Sequence, residues 1–366
     1  MLNVAKISSA SIYVLLFLPL CGSAFPAYIY MFLMVGLSCM HLKVKIRHIL
    51  FVEFLFLFFL IKFAQTEFRI AEILFRYFFG WILAYYFFYC TGARIKMERL
   101  LLVFCCSVIV ETILINTILP PAYWSNYPDL EVAWTHKSAY YGFFQRPYSV
   151  GCNATVSSSI LCLMLFYIES LRQNGIKLMS SKLEILAGFT LILFTSGTGL
   201  FLYMIYWAYK LRLFLKFRNI VLLAIGIVGI VSLTVYAATL ETDTTLSKIS
   251  STYLQFLWDF KSEQVNDVLK TLQNTSFIIG DNYSNAKDLL LWNDFALNDL
   301  LNSLGFVGIL VLLLFSIFNM NRINWVIILA AILGLFHYGG IFSMVGQLIF
   351  SYSLLLNKKT IGYYAP

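Results

Sequence analysis

Apolar residues run along this chain in long blocks separated by short polar gaps. The blocks fall at residues 7–25, 27–40, 49–64, 70–90, 100–119, 148–168, 183–196, 198–209, 219–239, 296–318, 323–338 and 341–356. A bilayer crossing takes roughly 20 apolar residues, and a chain in lipid must satisfy its backbone hydrogen bonds internally. Each block is therefore expected to be a helix. The pattern predicts an all-α polytopic membrane protein with about 12 transmembrane helices in a single integral membrane domain over 1–366.

The gaps sort by charge. Lys6 precedes the first block; Lys43, Lys45 and Arg47 follow the second; Arg94, Lys96 and Arg99 follow the fourth. Arg172, Lys177 and Lys182 follow the sixth, and Lys210, Arg212, Lys216 and Arg218 follow the eighth. Arg322 follows the tenth, and Lys358 and Lys359 follow the last. Lysine and arginine collect in cytoplasmic loops, so this alternation puts both termini in the cytoplasm. Residues 183–209 test the scheme, because basic gaps flank them on both sides. Thr195-Ser196-Gly197-Thr198-Gly199 breaks the stretch in the middle and predicts a tight helical hairpin. The alternative, one long span, would invert everything downstream.

The remaining gaps face outward, and two are long: 120–147 and 240–295. Loops of this length are commonly functional. In the second, Leu246, Ile249, Tyr253, Leu257 and Phe260 recur at helical spacing, as do Val265, Val268, Leu269 and Leu272. Amphipathic helices lying on the outer membrane face fit this spacing.

Composition closes off other classes. Of 366 residues, 60% are apolar and 12% charged, and the mean hydropathy of +0.81 is too high for a soluble globule. The net charge of +8 resides mostly in the short loops and does not call for nucleic acid. The seven cysteines contain no C-x-x-C, so neither a disulfide framework nor a metal knuckle is indicated. Residues 1–25 resemble a signal peptide but lack a clear cleavage site, and they are read as the first span. No Walker motif, H-E-x-x-H, G-x-S-x-G or D-x-D cluster occurs.

Ionisable groups inside spans are costly, which makes them candidates for function. Glu72 and Arg76 lie one turn apart near the outer end of the fourth block, with Arg69 on the same face and Lys62 and Glu67 close by. The group forms either a cationic pocket for a phosphate or a pair that neutralises itself. Glu111 and Asn116 are weaker candidates, and Glu53 stands alone. The first long loop carries many aromatics together with His136, Lys137 and Arg146. Arg146, at the mouth of the sixth block, can make bidentate bonds to a diphosphate. Asn293-Asp294, at the mouth of the tenth block, can position a hydroxyl acceptor or act as a base, or cap a helix. His337 stands near the outer end of the eleventh block.

About twelve spans, Arg146-Pro147 through Gly151, and a long loop before the tenth block together resemble the Wzy-type O-antigen polymerases of the O-antigen ligase superfamily. Ile279-Gly280-Asp281, Asn293-Asp294-Phe295 and Leu304-Gly305-Phe306-Val307-Gly308 look like that family's glycine segment and its acidic or histidine position before a Gly-x-x-Gly helix. The resemblance implies a metal-independent glycosyltransferase of the bacterial inner membrane that needs no cofactor. Its substrates, donor and acceptor, would be undecaprenyl-diphosphate-linked glycans, and a chain-length regulator would be a possible partner. Carried over, Arg146 with Arg69 and Arg76 would hold the diphosphate, and Asp294 would serve the acceptor as base. His136, Asp281, Asn293 and His337 would contact substrate, and the loops 120–147 and 240–295 would be periplasmic. The ligases commonly have His-Asn where this chain has Asn293-Asp294, which disfavours the ligase alternative. Many members also carry an arginine in the turn that here reads Ser196-Gly197-Thr198-Gly199. A lipid-linked oligosaccharide flippase is the non-enzymatic alternative, and the lack of an internal repeat counts against it.

Overall fold

The computed structural model describes residues 9–10, 12–13, 34–36, 46–117, 146–147, 149, 153–176, 180–213, 266, 269–270, 275–280, 296–337 and 339–356. Among these residues every regular element is helical. The helices are α1 (Ile46–Gln65), α2 (Phe68–Thr91), α3 (Met97–Thr117), α4 (Ala154–Gln173), α5 (Ser181–Phe194), α6 (Gly197–Lys210), α7 (Ala296–Phe318), α8 (Trp325–Gly334) and α9 (Met344–Leu354). Short 3-10 turns lie at Thr275–Ile278 and Gly340–Phe342. Four of the described helices, α2, α3, α4 and α7, are long and apolar enough to cross a membrane. The blocks at 7–25, 27–40 and 219–239 lie outside the described residues, apart from helical fragments at 9–10, 12–13 and 34–36. Of the amphipathic stretches before α7, Asn266, Leu269 and Lys270 are described, and all are helical.

α4 is the axis of the bundle and is buried from Ala154 to Leu171. It packs against α3, α5, α6, α8, α9 and the 340–342 turn. Its first turns carry small residues, and these let neighbours come close. A Cβ added to Gly199 would sit 2.5 Å from Ser158, and one added to Gly340 would sit 3.0 Å from Ser159. Close approach of small residues is the main source of attraction between helices in lipid. The Ser158 and Ser159 hydroxyls donate to the Thr155 carbonyl at 2.8 and 2.9 Å, so neither needs an outside partner. Asn153 caps α4 by accepting from the N–H groups of Thr155 and Val156.

Residues 183–209 form the expected hairpin. Thr195 ends α5 in the left-handed region, and the Ser196 hydroxyl caps α6 by accepting from Gly199 N–H at 3.2 Å. Away from the turn the two helices meet again: Lys210 pairs with Glu184, and Tyr206 donates to the same carboxylate at 2.8 Å. The chain therefore returns to the end from which it left. Each helix has 14 residues and spans about 21 Å, short of a hydrocarbon core of roughly 30 Å.

Up-and-down connection places Arg94, Lys96, Arg99, Arg172, Lys182, Lys210, Arg212 and Arg322 at one end of the bundle, here the basic end. Buried amides tie that end together. Asn324 donates to the carbonyls of Asn319 at 3.0 Å and Leu354 at 3.2 Å, and Asn321 donates to Leu356 at 2.8 Å. Tyr85 on α2 reaches Asn319 after α7 at 2.9 Å.

The opposite end, here the far end, is joined through backbone. On α9, the Gln347 amide lies against Gly80 and donates to the carbonyls of Arg76 and Tyr77, each at 3.0 Å. The Ser351 hydroxyl bonds to the Trp81 carbonyl. α7 is broken at Gly305, whose φ of 64° and ψ of −165° are not helical. Gly280, also at positive φ, fits against the backbone of Ser303 and Leu304 there, and Gly305 fits against Ile278. A side chain at either glycine would collide with the opposing backbone as well as strain its own. Gly305→Ala is expected to lower stability by roughly 1–3 kcal/mol. Gly197→Ala, with open space around its Cβ position, should change it little. Thermal unfolding of the two purified variants in detergent compares them.

Candidate functional site

The far end gathers most of the described sequence candidates. Arg146 is half-buried and Pro147 buried, just before α4. Their loop is anchored by Glu111 on α3, whose two carboxylate oxygens both accept from Ser149 N–H at 3.0 Å. Ser149 has a φ of 56°, in the left-handed region, and is buried. A hydrogen bond to a charged acceptor contributes about 1.5–3 kcal/mol, enough to hold one strained serine. Glu111 thus acts as the fastening of the Arg146 loop.

On α2, Arg76 and Glu72 form the ion pair that their spacing allows, at 2.9 Å and partly buried. Arg69, two turns earlier, is exposed, whereas Lys62 at the end of α1 is fully buried. The structure brings Arg76 to the 340–342 turn through its neighbours. Tyr77 and Phe78 pack on Phe342 with ring centroids 5.6 and 5.0 Å apart. From the other side Ser159 of α4 meets Gly340. The turn therefore sits between the helix that carries Arg76 and the helix that follows Arg146.

His337 belongs to the same assembly through its backbone. Its carbonyl accepts from Ala296 N–H at 2.9 Å, and the Leu335 carbonyl accepts from Leu297 N–H at 3.2 Å. The start of α7, immediately after Asn293-Asp294-Phe295, is thereby fixed to the loop between α8 and α9. His136, Asp281, Asn293 and Asp294 themselves lie outside the described residues, as do most of 120–147 and 240–295. Gly280, next to Asp281, is fixed by its contact with Ser303. Glu53 is exposed on α1, and Asn116 donates to the Thr112 carbonyl of its own helix at 2.8 Å.

The sequence reading missed one carboxylate. Asp299, in the first turn of α7, is 2% exposed, as are Asn298 and Ser303 beside it. The Asn298 side-chain oxygen is buried with no hydrogen-bond partner. Asp299 is the only ionisable residue in 296–318. The rule that singled out Glu72 and Arg76 would have singled it out too.

No family model, no curated protein and no solved structure matches the chain. The class defined by its own structure is an all-helical protein with helices of membrane-crossing length and apolarity.

Glu111→Ala is expected to cost roughly 1–3 kcal/mol and to release the Arg146 loop. Glu72→Ala removes only an i,i+4 pair, with an expected cost nearer 0.5 kcal/mol. Unfolding midpoints report the first difference. Limited chymotryptic digestion at Tyr148, in the same loop, reports the second, with faster cleavage expected only in Glu111→Ala.

Proposed function

We propose that this protein is an O-antigen-type polymerase that joins undecaprenyl-diphosphate-linked repeat units at the periplasmic face of the bacterial inner membrane. The observation that carries the reading is the placement of cations outside the basic loops. Arg69, Arg76 and the Glu111-anchored Arg146 lie at the end of the bundle opposite the basic loops. In this reading the basic end and both termini are cytoplasmic, and the loops 120–147 and 240–295 are periplasmic.

The chemistry follows from the charges. A hydroxyl of the acceptor glycan attacks the anomeric carbon of the donor glycan. The bond from that carbon to the diphosphate oxygen breaks, and undecaprenyl diphosphate leaves with the electron pair. Arg146, Arg69 and Arg76 stabilise the charge that develops on it, and bidentate guanidinium contacts suit a diphosphate. The hydroxyl proton passes to a carboxylate, for which Asp294 is the candidate. Asp299, buried in the first turn of α7, is a second carboxylate near that end of the helix. His136, Asp281, Asn293 and His337 border the glycan path. A chain-length regulator is the candidate protein partner.

A second reading has one specific observation in its favour. α7 is interrupted at Gly305, and interrupted helices are frequent at transporter binding sites. A lipid-linked oligosaccharide flippase would use that break.

Deletion of the gene in its host, with the surface polysaccharide run on a gel, tests these readings. The polymerase reading expects the ladder to collapse to lipid A core plus a single repeat. Arg146→Ala, expressed at the normal level, should fail to restore it, since losing one charge-stabilising donor lowers rates by about 10²–10³. Asp299→Asn should restore it only weakly. Loss of all capped bands while long polymer accumulates on the lipid carrier would instead mean ligase. Loss of every repeat-bearing band, the single repeat included, with no polymer on the lipid carrier would favour the flippase, and an unchanged ladder would reject all three readings.

A further inference from the structure

At the basic end, a cleft of about 380 Å³ opens between the starts of α3 and α5. Glu98, Arg99 and Leu102 line it from α3, and Ser180, Lys182, Leu183 and Leu186 line it from α5 and its cap. Small-molecule sites occupy roughly 300–1,000 Å³, so the cleft has room for a headgroup.

Its charge is unbalanced. α3 and α5 are packed neighbours that both run from the basic end to the far end, so their N-termini lie side by side. Each N-terminus carries about half a positive charge, and Arg99 and Lys182 add two exposed cations. Glu184, in the first turn of α5, is committed to Lys210 and Tyr206. That leaves Glu98 as the acidic group lining the cleft. One Glu98 carboxylate oxygen is buried and makes no hydrogen bond. The wall below is apolar: Leu102 is 46% exposed, and exposed Val103 and Phe189 continue the surface along the same helices.

We infer that this cleft binds an anionic phospholipid with a hydroxyl-bearing headgroup, of the phosphatidylglycerol type. The phosphate lies between Arg99 and Lys182, at the paired helix starts. A headgroup hydroxyl donates to the Glu98 carboxylate. An acyl chain follows Leu102 and Leu186 toward Phe189. A free phosphate would use the cations but would leave the leucine wall and the Glu98 oxygen unused. The site is at the opposite end from the glycosyl-transfer site and does not depend on that reading.

Native mass spectrometry of the full-length, delipidated protein tests this. The probes are phosphatidylglycerol, phosphatidylmethanol (equal charge, no headgroup hydroxyl) and phosphatidylcholine, with matched acyl chains. The wild type should bind phosphatidylglycerol most tightly and phosphatidylcholine least. Arg99→Ala and Lys182→Ala should each weaken phosphatidylglycerol binding by about five-fold, the usual worth of one basic side chain at an anionic lipid surface. Glu98→Ala should erase the preference for phosphatidylglycerol over phosphatidylmethanol. Arg99→Lys combined with Lys182→Arg keeps both charges and should keep binding, which separates lost charge from lost fold. Equal wild-type binding of phosphatidylglycerol and phosphatidylcholine, or of phosphatidylglycerol and phosphatidylmethanol, would overturn the assignment. So would undiminished binding by the two alanine variants.

Discussion

Close approach of backbones at small residues is the interaction on which the far end of this bundle depends. Lipid tails are as apolar as leucine, so burying a leucine between helices gains little there. What remains is dispersion at short range and polar groups that find partners within the protein. Gly199 against Ser158, Gly340 against Ser159, and Gly280 against Ser303 supply the first. Gln347, reaching the carbonyls of Arg76 and Tyr77, supplies the second. The contacts to α4 share one helix, and α4 is buried along nearly its whole length. Bulkier side chains in its first turns would push the α6 start and the 340–342 turn outward together.

The basic end is held in a different way. There side-chain amides and ion pairs do the joining, with Asn324 accepting from Asn321 and donating to carbonyls on either side of it. These side chains reach backbone carbonyls of neighbouring segments. Glu169, fully buried, binds Arg172 at 2.7 Å and Gln173 at 3.1 Å, and Gln173 goes on to the Tyr209 carbonyl at 3.0 Å. Both ends use polar side chains that meet backbone groups, and the far end adds close approach at small residues. At the far end, the Glu72–Arg76 pair lies within one helix, and Glu111 anchors the loop that carries Arg146.

Much of this was legible in the sequence, and the exceptions have physical reasons. The block at 296–318 coincides with α7, and the Thr195–Gly199 break coincides with the hairpin turn, because hydropathy and turn chemistry both act locally. The glycine segments at 279–281 and 304–308 were marked separately, but nothing local says that they pack on each other. The break at Gly305 was hidden because hydropathy does not respond to a single positive φ. The role of Glu111 depends on an N–H 38 residues away. Gln347 was passed over because an uncharged amide in an apolar helix looks the same whether it meets a cavity or two carbonyls. Asp299 is different: its charge was visible, and its near-complete burial is what gives it weight.

The rigidity of the far end bears on the choice between moving a glycan and joining two. Alternating access requires one part of a bundle to rock against another around the bound substrate. Here α2 is tied to α9 by Gln347 and Ser351, α9 to α4 through the 340–342 turn, and α7 to the 335–337 loop by two backbone hydrogen bonds. The Gly305 break, which would serve as a hinge in a transporter, is filled by Ile278 and Gly280. Rocking would have to undo several of these contacts at once, with no water in the hydrocarbon core to satisfy the freed groups. Group transfer makes the opposite demand, since it gains most from charges held fixed where the leaving group develops its own. Fixed contacts of this kind, at the end that carries Arg76 and Arg146, suit the proposed transfer better than transport.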